Sequence, residues 1–514
     1  MKLEPTSDDL PQVRPNLTRT AFSALKWNYA GTGVRMGANF AIGIVLARLL
    51  GPKPYGQVAI AALVIGFGNL VADIGLGSAL IQKEEIGDED VRFVFTVQVL
   101  FAALLVSALW PLTPWIVAFF HQPETVPIVR AMFPMFIFQA FGRTASSLLG
   151  RKLQQKRIQT AQLVSYLAGY VCLGIPLAIA GVGAWSLVAA QLVQSLLNAA
   201  ILYAATLHPI KPLLWPRNTN LMRFGGKVVG ANIFNWWISN ADNLTVGRAC
   251  GVAELGLYSR SFTLVNLPVN ALISNLQAIL FPAYSRAQSR SPLIRQTYLA
   301  SLAIVAMVML PLFAVIAVIP HAVIGGIYGR RWMAAAPVVV PLALAMPLDS
   351  MMSLAGPVLW GVGKVERELW VQMATAVGMT GMMFAMSQIS FVAIGWGVLV
   401  IYLLRASLLT RAVIRTLEIR WIEVGRALCA PSVVALASAL IVGGADRSWF
   451  ARFAMGPRLL LDGVLAAVSY GLLLVASFPF WTKETQLSLE QVMPSSRALW
   501  ATFAVLSKTV SRFV

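Results

Sequence analysis

The sequence predicts an all-α protein that crosses a membrane about fourteen times, as two six-helix lobes followed by two further helices. Three observations predict this fold class. The 514 residues are 58% hydrophobic and only 12% are charged, which is about half of the ~25% charge usual in soluble domains. Apolar runs of ~20 residues, each long enough to cross ~30 Å of hydrocarbon, recur along the whole chain. A segment near Arg48 recurs near Arg248 with matching glycine and polar positions.

The apolar runs define the predicted spans in chain order. The first lobe comprises spans over 22–47, 57–81, 93–119, 126–149, 160–181 and 185–207. The second comprises spans over 224–247, 257–282, 296–319, 334–360, 369–391 and 394–416, and the last pair runs over 427–444 and 457–480. The predicted domains follow from these spans. They are an N-terminal cytoplasmic segment (1–21), an N-lobe (22–207), a cytoplasmic linker (208–223), a C-lobe (224–416), an extra helix pair (427–480) and a cytoplasmic tail with an amphipathic interfacial helix (481–514).

The distribution of basic residues orients these spans. With the N-terminus in the cytoplasm, 29 of the 40 Lys and Arg residues fall on the inner side, 10 fall on the outer side, and Arg35 lies within a span. Short basic loops resist translocation, so this bias predicts that both termini lie in the cytoplasm.

Several function classes are disfavoured by composition and motifs. The net charge of +19 is dispersed over loops without an aromatic-interleaved patch, so no nucleic-acid partner is expected. Cys172, Cys250 and Cys429 lie in apolar surroundings without pairable spacing, which implies neither a disulfide framework nor a zinc site. The chain has no phosphate-binding loop motif. We therefore expect no cofactor and no metal, and the membrane bilayer as the surrounding partner.

The internal repeat is the most informative motif. The same residues recur at the same spacing in both copies: Arg48, Gly51 and Gly56 in the first, and Arg248, Gly251 and Gly256 in the second. Upstream, the same register aligns Thr32, Arg35 and Asn39 with Asn232, Asn235 and Ser239. Many transporters consist of two related membrane bundles around a site near the bilayer midplane. The repeat therefore predicts a transporter.

Polar residues inside the predicted spans are the candidate cavity residues. Arg35 is the strongest candidate. Inserting an arginine at the centre of a span costs about 2.5–3.5 kcal/mol, so such charges usually face a cavity or a partner. An anionic group such as a diphosphate would suit it. The remaining candidates are Thr32, Asn39, Asn69, Asp73, Asn232, Asn235, Ser239, Asp242, Asn266 and Asn270. Asp349 is a candidate for ion coupling, with no obvious local partner. Alternatively, these groups only join helices by hydrogen bonds.

Five segments carry a resemblance to a known family: ARLLGPKPYGQVAIA (47–61), DIGLGSALIQKE (73–84), LLGRKLQQKRIQ (148–159), ADNLTVGRACGVAELGLYSRSFTLVNLPVN (241–270) and LFPAYSR (280–286). With these motifs the chain resembles the Wzx-type polysaccharide flippases, in the branch of colanic acid and teichuronic acid exporters, within the multidrug/oligosaccharidyl-lipid/polysaccharide exporter superfamily. The resemblance implies a non-enzymatic flippase of undecaprenyl-diphosphate-linked oligosaccharide in the bacterial inner membrane. It serves exopolysaccharide, lipopolysaccharide O-antigen or capsule biosynthesis, and its expected protein partners are a polymerase and co-polymerase.

Three other functions remain open at this stage. One is an ion-driven exporter of drugs or small molecules from the same superfamily. Another is a membrane enzyme that polymerises or transfers lipid-linked sugars, although the outer loops are short for such an active site. The third is a scaffold that recruits synthesis enzymes.

Overall fold

The computed structural model describes residues 15–72, 77, 80, 81, 83, 86–213, 225–286 and 291–477. Within these ranges the chain forms helices joined by short turns, without a strand. The all-α class predicted from the sequence is confirmed. Asp73 and the tail over 481–514 lie outside the described residues.

The N-terminal half begins with two long helices, α1 (Pro15–Leu50) and α2 (Pro52–Ala72). They are followed by α3 (Asp88–Phe119), α4 (Val126–Met132), α5 (Pro134–Arg151), α6 (Gln155–Leu167), α7 (Ile175–Ile179) and α8 (Ala184–Thr206). A π-helical segment, Ala168–Gly174, joins α6 to α7, so that one long span contains all three.

The C-terminal half contains the remaining helices. They are α9 (Gly225–Ala249), α10 (Val252–Arg286), α11 (Ser291–Val318), α12 (Pro320–Ile327), α13 (Ala336–Met352), α14 (Ala355–Gly361), α15 (Val365–Ser387), α16 (Phe391–Leu417), α17 (Trp421–Ser448) and α18 (Met455–Ser477).

Membrane spans account for most of this helical structure. Eleven helical stretches of the described residues are long and apolar enough to cross a membrane. Each of the other three predicted spans overlaps one of α2, α9 and α10. Because α2, α9 and α10 are not among the eleven, the number fourteen stays a prediction, whereas a multi-span membrane protein is established.

The described residues fall into two compact units. The first unit contains the described residues within 1–50, 60–118 and 123–233, and the second contains those within 51–59, 119–122 and 234–514. In the first unit α5 and α6 both pack against α8, and α1 packs against α6. In the second unit α11 packs along α17, and α16 packs against α13 and α15. These units come from spatial packing, and the domain boundaries proposed from the sequence stay a prediction.

Glycines in the left-handed region end the first helix of each repeat. Gly51 has φ 76° between α1 and α2, and Gly251 has φ 108° between α9 and α10. A side chain is strained in this conformation, whereas glycine adopts it freely. The repeated glycine therefore has a structural reason: each copy needs a sharp turn between two long helices.

Aromatic packing anchors the second unit. Trp332 is fully buried, and its ring lies 5.6 Å from the Tyr55 ring and 5.4 Å from the Tyr328 ring. The guanidinium of Arg260 lies 3.8 Å from the centre of the Tyr55 ring. The first residues of α2 are thus held by a cluster of rings from the second unit, so that the chain segment Gly51–Ala59 belongs to it.

The two last helices, α17 and α18, are joined by a buried ion pair. Arg458 contacts both oxygens of Asp446, and its Nη2 lies 2.7 Å from Oδ2. Asp446 and Asp462 are both buried, and Asp462 is fully so. Arg458 is therefore the cation that compensates the carboxylate of Asp446 where the two helices meet.

We expect Arg458→Gln to destabilise the protein by about 3–5 kcal/mol, because breaking a buried pair leaves a carboxylate uncompensated. The measurement is thermal unfolding of the purified protein in detergent. Arg452→Gln, at an exposed arginine of the same turn region, is the matched control and should leave the midpoint unchanged. Equal midpoints for the two variants would contradict this account of the pair.

Candidate functional site

Arg35 lies within the span formed by α1 and is half-buried. Its Nη1 donates a hydrogen bond to the side-chain oxygen Oε1 of Gln162 on α6. Gln162 is neutral, and among the described residues no carboxylate forms an ion pair with Arg35. The hydrogen bond thus orients the guanidinium group but does not neutralise its positive charge.

The close approach of α1 to α6 explains how Arg35 reaches Gln162. One helical turn before Arg35, a Cβ placed on Gly31 would lie 2.7 Å from the Cβ of Gln159. Only a residue without a side chain permits this spacing. Glycine at position 31 therefore positions the two helices so that Arg35 and Gln162 meet.

The other predicted residues of α1 are not joined to Arg35 by any described hydrogen bond. Thr32 is half-buried and Asn39 is exposed. Asn69 on α2 contacts a different cation, because Nη2 of Arg143 lies 3.4 Å from its Oδ1. That these polar residues share one cavity with Arg35 stays a prediction.

Arg143 is a functional candidate that the sequence interpretation missed. It is counted among the basic residues of the inner side, although the predicted span over 126–149 contains it. In the structure it lies on α5, more than two turns before the last residue, Arg151. Beside it, Thr144 donates a buried hydrogen bond of 2.8 Å to Gln98 on α3. The signal that could have found it is the apolar segment PMFIFQAF, which ends just before Arg143. A membrane helix that contains this segment must continue past Arg143 to be long enough to span the bilayer.

Asp242 on α9 is buried, with its carboxylate oxygens hydrogen-bonded. Tyr258 on α10 donates to Oδ2 at 2.8 Å. The backbone N–H and the side-chain amide of Asn243 donate to Oδ1 at 2.7 and 3.2 Å. This satisfied environment favours the alternative in which Asp242 joins helices α9 and α10.

The remaining α9 and α10 candidates have simpler surroundings. Ser239 and Asn270 are exposed and Asn266 is half-buried. Asn232 and Asn235 lie on the backbone of α9, but their side chains are outside the described part of the chain. The hydroxyl of Ser274 donates to the backbone oxygen of Asn270 at 2.6 Å. Among the described contacts, none brings Ser239, Asn266 or Asn270 to Asp242.

Asp349 on α13 has a partner that the sequence did not identify. It interacts electrostatically with Arg405 on α16, and Arg405 also interacts with Glu368 on α15. Arg405 lies inside Phe391–Leu417, within the span predicted over 394–416, although it is counted among the basic residues of the inner side. The buried Nε of Arg405 and Oε2 of Glu368 have no hydrogen-bond partner among the described residues. The second unit therefore contains a group of partly unsatisfied charges inside its spans.

The two copies of the repeat contact each other at their glycines. A Cβ on Gly56 would overlap the backbone oxygen of Val252, and a Cβ on Gly256 would overlap the backbone oxygen of Pro52. Helices α2 and α10 thus cross at their first turns with reciprocal glycine-to-carbonyl contacts. Both positions require glycine because the two backbones touch there.

The repeated arginines lie at corresponding helix ends. Arg48 and Arg248 are exposed in the last turns of α1 and α9. A cation is favoured there by the negative end of the helix dipole. Arg248 donates to the backbone oxygen of Phe119 at 2.8 Å. Its guanidinium carbon also lies 4.5 Å from the centre of the Phe119 ring.

The described residues contain no group of three or more His, Cys, Asp or Glu side chains arranged to hold a metal ion. The charged groups inside the spans are instead arginines and carboxylates on separate helices. Such an arrangement suits recognition of a charged ligand or coupling to an ion.

Comparisons with known proteins extend these observations. A family profile described as "Polysaccharide biosynthesis protein" matches residues 45–337. The chain is 26% identical over 364 residues to the succinoglycan biosynthesis transport protein ExoT of Rhizobium meliloti, covering 71% of this chain and 74% of that protein. It is 21% identical over 362 residues to the lipopolysaccharide biosynthesis protein WzxC of Escherichia coli, covering 68% and 72%.

Solved structures show the same fold. The lipid II flippase MurJ in an inward closed conformation matches with a TM-score of 0.69 at 11% identity, covering 88% of this chain and 98% of that one. An inward-facing multidrug resistance MATE transporter of the MOP superfamily matches with a TM-score of 0.56 at 17% identity, covering 74% and 94%. At these identities the likeness concerns the fold alone.

We expect Gly256→Ala to destabilise the protein by about 1–3 kcal/mol, because the added methyl group must displace the Pro52 carbonyl from a tight crossing. Thermal unfolding in detergent measures the effect. In Gly471→Ala, the control, the methyl group enters open space on α18 and should be neutral or stabilising, since alanine favours a helix over glycine. Similar midpoints in the two variants would show that α2 and α10 do not need a glycine where they cross.

Proposed function

The chain belongs to the polysaccharide biosynthesis protein family, and from that premise we propose that it is a flippase for undecaprenyl-diphosphate-linked oligosaccharide. It moves the sugar headgroup across the bacterial inner membrane by alternating access, for exopolysaccharide, O-antigen or capsule biosynthesis. The names of ExoT and WzxC, which concern polysaccharide transport and biosynthesis, support this substrate class. A polymerase and co-polymerase are its expected protein partners.

The observation that carries the proposal is the unneutralised charge of Arg35. Inside a span, a guanidinium bonded to the neutral Gln162 still attracts an anion, and its planar fork matches the oxygens of a diphosphate. The diphosphate is the part of the substrate that hydrocarbon excludes most strongly. We therefore assign Arg35 to the headgroup site, and we propose Arg143, which contacts Asn69 on the same unit, as a second cation of that site.

The other candidates from the sequence differ in their surroundings, and their proposed roles differ accordingly. Thr32, Asn39 and Asn69 remain proposed headgroup residues because they share the unit that contains Arg35. Asp242, whose oxygens are hydrogen-bonded, is better explained as a link between α9 and α10. Asp349 stays the proposed coupling residue, because a carboxylate inside a span that feels the charge of Arg405 is suited to bind and release an ion.

The rival functions lack a specific supporting observation. A drug exporter of the same fold needs no affinity for a diphosphate, and the fold likeness to a MATE transporter does not extend to its ligand. A polymerising or transferring enzyme needs acid–base groups at an accessible site. The proposal is therefore that the chain is a transporter and not an enzyme.

We expect wild-type protein in liposomes to flip a fluorescent undecaprenyl-diphosphate-linked oligosaccharide, and Arg35→Ala to slow flipping by about 10–100-fold. The factor reflects loss of charged hydrogen bonds worth ~1.5–3 kcal/mol. Arg35→Lys should keep part of the rate, because the charge survives while the two-pronged geometry is lost. The measurement is the fraction of fluorophore that externally added dithionite bleaches over time.

The control is Arg411→Ala, at an exposed arginine of α16, which should flip at the wild-type rate. Rates are divided by the amount of inserted protein. If Arg35→Ala flips normally per molecule, the headgroup assignment is wrong and the flippase proposal stands. If wild-type vesicles bleach no faster than empty ones, the flippase proposal is wrong.

We propose that both termini lie in the cytoplasm, since 29 basic residues fall on that side of the predicted map. Reporter fusions after Arg157 and Arg420 should report the cytoplasm, because short basic loops stay inside. A fusion after Arg330 should report the outer side. A periplasmic signal after Arg157 would reverse the map.

A further inference from the structure

The second unit contains a cleft that the residues assigned above do not use. It has a volume of about 640 Å³ and lies between the C-terminal halves of α9 and α15, beside the segment Phe119–Gln122. Nε1 of Trp237 on α9 donates to Oγ1 of Thr380 on α15 at 3.0 Å, which joins the two helices along the cleft. Its volume falls within the ~300–1,000 Å³ typical of small-ligand sites.

Exposed aromatic rings form the walls of this cleft. Phe119, Trp237 and Phe384 line it, with 44%, 41% and 72% of their surfaces exposed. The face of an aromatic ring carries partial negative charge and attracts polarised C–H groups. A pyranose ring presents such C–H groups on its flat faces, so these rings are suitable platforms for sugars.

Polar side chains form the rim at one end. His121, Arg248, Ser387 and Gln388 line the cleft there, and together they offer both hydrogen-bond donors and acceptors. Arg248 is held in place by the Phe119 carbonyl at 2.8 Å. A rim of mixed donors and acceptors matches sugar hydroxyls, which are themselves both.

The electrostatics of the rim favour a neutral polyol over an anion. Three helices end here, at Phe119, Ala249 and Ser387. The C-terminal ends of these helix dipoles are negative. They offset the positive charge of Arg248 and disfavour an anionic group. No carboxylate lines the cleft. A phosphate is therefore poorly suited to this site, unlike the surroundings of Arg35.

We propose that this cleft, formed by α9, α15 and the segment Phe119–Gln122, binds one or two sugar rings of the transported oligosaccharide. The inference rests on the proposed function and adds a glycan subsite to it, separate from the diphosphate site at Arg35. In the proposed topology α3, α9 and α15 all run outwards, so their C-terminal ends lie on the outer side. The cleft then holds the glycan after its passage.

The test measures binding of the lipid-free oligosaccharide released by mild acid from the host's own lipid-linked intermediate. Purified wild-type protein in lipid nanodiscs is titrated with it by calorimetry. We expect saturable binding, weakened at least tenfold in Phe384→Ala and in Gln388→Ala. Phe384 is largely exposed, so its removal should leave the fold intact. Phe453→Ala, at another exposed phenylalanine outside the cleft, should bind as the wild type does.

Flipping by the same wild-type sample separates this inference from the proposed function. Flipping without saturable oligosaccharide binding, or with equal binding in all variants, overturns the glycan subsite and leaves the flippase in place. Loss of co-purified phospholipid in Phe384→Ala with unchanged oligosaccharide binding identifies a lipid as the occupant, which also overturns it. Absence of flipping overturns the proposed function itself.

Discussion

The hydrocarbon of the bilayer is the constraint on which the rest of this structure depends. It offers no hydrogen-bond partner, so every backbone group within it must bond inside a helix and every charge must meet a polar group of the protein. This explains why the described chain is helical throughout its spans. It also explains why Arg35 is bonded to Gln162 and Asp242 to Tyr258. Where a charge is only partly satisfied, as at Arg35, the imbalance points to a ligand.

Close helix contacts follow from the same constraint. Apolar side chains gain little by leaving lipid for protein, so helices in a membrane associate through close packing and hydrogen bonds. Gly31 brings α1 against α6 at Gln159, and Gly56 and Gly256 bring α2 against α10. The first contact positions the arginine proposed to bind the headgroup. The second joins the two copies of the repeat. Small residues thus set the geometry in which the polar residues act.

The two proposed sites are chemically different and lie on different units. The first unit contains the arginines Arg35 and Arg143, which we propose to bind a diphosphate. The second contains the cleft of Phe119, Trp237 and Phe384 with a neutral polar rim, which suits sugar rings. A lipid-linked oligosaccharide carries both kinds of group, and recognising them at separate places lets one transporter hold a long headgroup at more than one stage. Asp349, which interacts electrostatically with Arg405, belongs to neither site and is the proposed place of ion coupling.

The sequence by itself determined the helical membrane fold, because apolar runs and their lengths directly reflect the hydrocarbon they cross, and each predicted span overlaps a helix of the structure. It also identified Arg35 and the repeated glycines, since a central charge and a matching register are visible without contacts. Arg143 and Arg405 fall within the spans predicted over 126–149 and 394–416 but were not singled out, because both were counted with the basic residues of the inner side. Only the tertiary structure decided that Asn69 meets Arg143, that Asp349 interacts electrostatically with Arg405 and that Gly56 meets Val252. Each of these pairs joins residues far apart in the chain, and such contacts depend on how helices pack in space.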